Sequence, residues 1–270
     1  MQTLAIDWPD LPAGVGVLST LRSGGVSVGR YGAGSTPGGS GALDSAVGIT
    51  ADYGGGLNLG LHVGDDPTAV EQNRRLLRAK LPAEPAWLTQ VHGIRVLDLS
   101  SEYQQQGVPE ADASIACRPD RVCTIMSADC LPVLLADCRG TQVGAAHAGW
   151  RGLAQGVIEQ TVAAMRASGA DQLTAWLGPA IGPKAFEVGI EVRRAFAHLG
   201  PQAEAAFTPV PGKADKFLAD LAGLARVVLL RSGVTQVWGG QACTVSDSTK
   251  FYSFRRDQVT GRMASLIWIR

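Results

Sequence analysis

The chain has 270 residues, 46% of them hydrophobic, and its 24 Lys and Arg balance 24 Asp and Glu to zero formal charge. That length and apolar content allow a sizeable core, in one large domain or two small ones. Neutrality without a Lys/Arg cluster argues against a general polyanion track, and without a basic, apolar leader or a run of about 18 apolar residues neither a signal peptide nor a spanning helix is expected. A cytoplasmic protein acting on a small molecule is expected, with no nucleic-acid, membrane or required protein partner. Five cysteines, an odd number without framework spacing, fit a reducing compartment.

Residues 14–20 read as a strand followed by a glycine turn. Residues 32–56 are rich in Gly, Ser and Ala and lack the apolar periodicity of a packed element, so they read as a flexible surface insertion within one domain spanning 1–270. A helix begins after Asp66, which can cap it, with Pro67 in the first turn. Val70, Leu77 and Leu81 share one face of it with Asn73 and Arg74. An arginine on a buried face must be partnered, so Arg74 is half of a structural ion pair or an anion ligand.

Residues 87–90 and 94–99 are short strand-like runs flanking a turn that holds His92. Residues 122–126, 133–136 and 143–146 are apolar and partly β-branched, the pattern of buried strands. Cys130 and His147 therefore stand at strand ends, where rigid elements deliver reactive groups. Residues 153–168 have helical spacing with Gly169 as a stop, and Arg151 beside the start of that helix is a candidate anion receptor. Residues 173–177, 234–238, 251–254 and 265–269 read as strands, and 190–199 and 217–231 as helices. Strands and helices intermix without a regular βαβ beat, so a single α+β domain with a mixed sheet flanked by helices is expected.

Of four histidines, His198 suits a helix C-terminus and His62 a loop, leaving His92 and His147. With Cys130 they could form an open three-ligand site for zinc or copper, the fourth position being left for water or substrate. The spacings are long, and no C-x-x-C pattern announces a metal. A second reading makes Cys130 a nucleophile with His147 as its base, and a third treats both as core residues.

The segments TQVHG at 89–93, SADCLPVLLAD at 127–137, AAHAGWRG at 145–152, WLGPAIGP at 176–183 with FEVG at 186–189, and SFRRD at 253–257 with TGRM at 260–263 resemble the YfiH family over nearly the whole chain. The resemblance implies a mixed α/β fold similar to the catalytic domain of cytotoxic necrotizing factor, with His92, Cys130 and His147 as metal ligands and catalytic residues. It implies zinc, with copper as the other candidate. Family members carry three labels: polyphenol oxidase or laccase, purine nucleoside phosphorylase with adenosine deaminase activity, and peptidoglycan editing factor. Four histidines cannot ligate both a blue-copper centre and a trinuclear copper cluster, which disfavours classical laccase chemistry.

The expected activity is therefore metal-dependent phosphorolysis of adenosine, inosine and methylthioadenosine together with deamination of adenosine. Arg74, Gln90 and Arg151 are the candidate substrate or phosphate contacts. The alternatives are an amidase releasing L-serine from a UDP-muramyl precursor, and a non-enzymatic metal-binding protein. Two departures from the family pattern stand out: relatives have a much shorter link in place of 32–56, and Leu21 stands where threonine is expected.

Overall fold

Side-chain parity along one strand decides the layering. In Leu131–Asp137, Leu131, Val133 and Leu135 enter one apolar cluster, while Leu134 and Ala136 enter another. Successive strand residues point to opposite faces, so a strand buried on both sides reads as the near-continuous apolar run seen here. The computed structural model describes residues 1–34, 54–101 and 107–270. Most of the glycine-rich insertion, 35–53, lies outside the described residues.

This strand belongs to a six-stranded sheet ordered Gln236–Gly239, Leu173–Leu177, Leu131–Asp137, Val143–Ala148, Ala113–Ala116 and Val96–Asp98. The three inner pairings are antiparallel and the two outer ones parallel, the mixed sheet that was expected. Leu134, Ala136, Val143 and Ala145 pack onto a second sheet through Cys123, Ile125 and Ile267. That four-stranded sheet runs Val15–Ser19, Met263–Ile269, Val122–Ser127, Pro85–Ala86.

Helices Val157–Ala167 and Leu221–Arg231 cover the other face of the larger sheet through Val157, Ile158, Val162, Leu224 and Val228. Helix Pro67–Arg78 covers the smaller sheet, setting Leu77 against Val122, Met126, Ala264 and Leu266. The result is helix, sheet, sheet, helix, each face buried against a neighbour. As expected, Asp66 caps the first helix, its carboxylate accepting the Thr68 N–H at 2.9 Å. No helix among the described residues is long and apolar enough to cross a membrane.

Four segments differ from expectation. The helix over 153–168 is divided into Trp150–Gln155 and Val157–Ala167 by Gly156, whose φ of 103° is left-handed. Apolar spacing continues through the break, which is why periodicity alone missed it. Within 217–231, Lys216–Ala219 is a strand paired with Glu187–Gly189 and Phe207–Pro209. The helix starts only at Leu221, where the Asp220 carboxylate accepts the Gly223 N–H. Residues 251–254 form no ladder: Phe251, Tyr252 and Ser253 are buried coil, and Ser253 caps the short helix Phe254–Asp257. Residues 87–90 contribute only an isolated bridge, Thr89 to Glu110.

The bend at Gly156 gives a test with opposite signs. By helix propensity alone, Gly156→Ala should stabilise by roughly 1 kcal/mol, but a left-handed alanine costs about 1–2 kcal/mol. Net destabilisation in urea unfolding is expected, and a gain would show that the bend is not required.

Candidate metal centre

Three segments converge at one end of the larger sheet. Pro132 pairs with His147 and Leu131 with Ala148, so Cys130, one residue before its strand, lies beside His147 near the end of Val143–Ala148. His92 arrives from the turn preceding Val96–Asp98. Its Nε2 is 3.6 Å from Cys130 Sγ, and its ring meets that of His147 edge-on with centroids 4.8 Å apart. One donor atom from each of His92, Cys130 and His147 lies within 4.8 Å of the others. His147 is buried, Cys130 half-buried and His92 exposed, so the cluster opens on the His92 side.

The sequence reading missed Asp112, which is fully buried. Its carboxylate accepts the backbone N–H groups of Val91 at 3.2 Å, His92 at 2.9 Å and Gly93 at 2.7 Å, and meets His147 Nδ1 at 2.8 Å. The signal was present: a lone carboxylate between Ala111 and Ala113 in an apolar run must find donors. His92 itself has φ of 62°, a left-handed conformation uncommon outside glycine. Gln90 braces the same turn, its side-chain amide exchanging two 2.8 Å hydrogen bonds with the Met126 backbone.

Asp129, at φ 95°, is the second left-handed residue beside a donor. Both of its carboxylate oxygens are engaged, one by the Thr244 hydroxyl at 2.5 Å and one by the Arg255 N–H at 2.6 Å, and its carbonyl accepts the Ile181 N–H. Arg255 and Arg256 turn their guanidinium groups to backbone carbonyls and to Asp257. Glycine also matters at 149, where a Cβ would stand 2.8 Å from His92 Cδ2 and 3.0 Å from Cys130 Sγ.

The electrostatics follow from these contacts. Burial alone would raise the Cys130 thiol, but the charge and hydrogen bonds of His147 and His92 outweigh it and hold it at about 6. Burial would lower His147, yet the Cys130 charge and the Asp112 hydrogen bond push it to about 9. Asp112 is pushed up by burial and pulled further down by His147 and the Gly93 and Val91 amides, so it stays below the usual carboxylate range. Two imidazoles and a thiolate suit zinc or copper, three ligands leave a position open, and the Asp112 contact to His147 is the outer support such ligands commonly have.

A group of basic residues lies to one side. Arg74 Nε donates to the Leu59 carbonyl at 2.9 Å, and its guanidinium stacks 3.8 Å over the Trp87 ring. Burial lowers its pKa to about 10, which leaves it cationic at neutral pH. No carboxylate forms a salt bridge with it among the described residues. Arg262 and His62, neither proposed from sequence, pack across Gly60, where a Cβ would meet Arg262 Cγ at 2.9 Å and His62 Cε1 at 3.4 Å. Burial and the charges of Arg262 and Arg74 lower the His62 pKa. Burial also lowers Arg262, opposed by the nearby Cys130 and Asp129. Arg151 is exposed and stacks 4.7 Å from Trp150 at the start of a six-residue helix. His198 hydrogen-bonds the Ala195 carbonyl, away from the cluster.

Two outcomes check this geometry. Gly149→Ala should weaken zinc binding at least tenfold in chelator competition, because its methyl must displace two donors; unchanged affinity would show that the approach is not tight. Between about pH 6 and 9 the Cys130–His147 pair keeps one proton that a metal must displace. Zinc affinity should therefore rise about tenfold per pH unit over that window. A flat profile would exclude the pair as ligands.

Known proteins are similar to this chain in sequence and in fold. Residues 16–270 match the family described as multi-copper polyphenol oxidoreductase laccase. A purine nucleoside phosphorylase of Pseudomonas aeruginosa is 49% identical over 269 residues, covering 99% of this chain and 98% of the relative. The Escherichia coli purine nucleoside phosphorylase YfiH is 48% identical, with 97% and 96% covered. Among solved structures, a Neisseria meningitidis protein superposes with TM-score 0.84 at 45% identity, covering 100% of this chain and 99% of its own. YlmD of Geobacillus stearothermophilus gives 0.81 at 29%, with 100% and 97% covered. On the family match and on identities near one half over essentially the full length, the chain belongs to the multi-copper polyphenol oxidoreductase laccase family, the YfiH proteins.

Proposed function

We propose that the chain is a metal-dependent purine nucleoside phosphorylase that also deaminates adenosine. The observation that carries this reading is the juxtaposition of an open three-donor cluster, His92, Cys130 and His147, with the cations Arg262 and Arg74 and the His62 imidazole. Phosphorolysis needs a place for an anion beside a place where the nucleoside is activated, and relatives sharing almost half of the residues are named for that reaction. His92, Cys130 and His147 would hold zinc, which would supply Lewis acidity at the open position, with copper as the other compatible ion.

The chain's own groups then have distinct tasks. Arg262 and Arg74 hold phosphate by charge-assisted hydrogen bonds, with His62 between them. A phosphate oxygen forms the bond to C1′ as the C1′–N9 bond breaks, and the electron pair leaves with the purine. Arg151, exposed at the start of the helix Trp150–Gln155, is a second anion contact. Gln90 acts through the backbone it braces, and keeps the turn bearing His92 at the cluster. In deamination a water oxygen forms the bond to C6 of adenosine as the bond to the amino nitrogen breaks, and the amine takes a proton from that water and leaves as ammonia.

Oxidase chemistry of the laccase kind lacks ligands. His62 and His198 stand outside the cluster, and Met126, near Cys130 in sequence, packs on the opposite face of its strand with Leu77.

Zinc-loaded protein given adenosine and phosphate should yield adenine, ribose-1-phosphate and inosine, with loss of all three on Cys130→Ala. Arg262→Ala should raise the phosphate KM at least tenfold and leave deamination within about threefold, since one lost charge-assisted contact is worth about 1.5–3 kcal/mol. Full turnover by Cys130→Ala would remove the cluster from the mechanism. Serine release from UDP-MurNAc-L-Ser, with no nucleoside turnover, would replace the reading by an amidase.

A further inference from the structure

One carboxylate serves two of the three donors. Asp112 follows the turn that carries His92 in space and precedes Ala113–Ala116, the strand paired with Val143–Ala148 and hence with His147. Its backbone is fixed on both sides: its N–H donates to the Arg95 carbonyl at 3.1 Å, and its carbonyl accepts the His147 N–H at 2.7 Å. The carboxylate is fully buried and, among the described residues, forms no ion pair with an arginine or lysine. Its hydrogen-bonding capacity is taken up by three consecutive amides, Val91, His92 and Gly93, and by His147 Nδ1.

Two consequences follow for the donors. Because Nδ1 of His147 faces Asp112, the nitrogen left to the cluster is Nε2. The nitrogen of His92 nearest Cys130 Sγ is likewise Nε2. Three convergent amides also hold His92 at its left-handed φ of 62°, where a β-carbon-bearing residue persists only if its surroundings enforce it. The ring of one histidine and the backbone of the other are thereby referred to the same two oxygen atoms.

We infer that Asp112 is the positioning residue of the metal centre: it fixes the tautomer of His147 and the backbone of His92 together, so that both imidazoles stand ready before a metal arrives. This rests on the reading of the cluster as a metal site. Asp112→Asn keeps size and shape but turns one acceptor into a donor. If that amide faces His147, the ring must present Nε2–H to the cluster. If it faces the turn, the Val91 and Gly93 amides meet another donor. Either orientation impairs one ligand.

The test compares wild type with Asp112→Asn in zinc competition against a chelator, alongside long-range ¹⁵N–¹H spectra of the histidine rings. Affinity for zinc should fall about 10–100-fold in the variant, and zinc-loaded wild type should show the His147 proton on Nδ1. A merely structural aspartate would lower the unfolding temperature of the variant while leaving its zinc affinity unchanged; affinity within twofold of wild type overturns the assignment. Should the variant fail to fold, the wild-type spectra decide alone, since zinc bound through Nδ1 of His147 also overturns it. Wild-type protein that takes up no zinc overturns the metal reading itself, a result distinct from wild-type uptake with an unaffected variant.

Discussion

The antiparallel register of Leu131–Asp137 against Val143–Ala148 is the constraint on which the centre depends. Pro132 opposite His147 brings Cys130 to the imidazole, and the same register places Leu131, Val133 and Leu135 against helices while Leu134 and Ala136 enter the space between sheets. A slip of one residue would exchange those faces. Apolar burial on two sides thus locks the position of a thiol that itself contributes little to folding. The pairing is indifferent to the chemistry at its end, yet no other register satisfies the core.

Around that fixed pair the site is built from polar groups under compulsion. Asp112 and Asp129 are buried carboxylates, each with both oxygens occupied by donors from other segments. Each is tied to a left-handed backbone, Asp112 to that of His92 through its amide and Asp129 to its own. Such conformations are maintained where surrounding contacts over-determine them. The overall charge is zero, but Arg262 lies near the thiol and shares its neighbourhood with His62 and Arg74, so the local field is cationic where the average is neutral. Association with a small anion requires only that local field.

Much of this was legible in the sequence because it is local. Apolar runs located the strands, and glycine and proline marked the turns. Asp66 beside Pro67 fixed a helix start. Cys130 and His147 were recognisable as strand-end residues because the runs beside them were clear. What escaped was set by contacts remote in sequence. Arg262 reaches Gly60 only because the last strand lies between Val15–Ser19 and Val122–Ser127. Asp112 has meaning only once two turns and a strand are assembled around it. Lys216–Ala219 looked helical because its apolar residues run into a true helix, and only its partners Glu187–Gly189 and Phe207–Pro209 make it a strand. Arg74 was correctly required to have a partner, but that partner is an indole face and a carbonyl, which no charge pattern reveals.

The bond from the Arg262 N–H to Asn58 Oδ1, 2.8 Å long, spans 204 positions of the chain, and Met263–Ile269 fills an interior place in the smaller sheet. A ribosome releases the chain from its N-terminus, so His92, Cys130 and His147 all emerge while that place is still vacant. During biosynthesis His92, Cys130 and His147 are therefore complete well before Arg262. A nascent chain that already has its three donors still lacks the interior strand of the smaller sheet that sets Arg262 against Gly60.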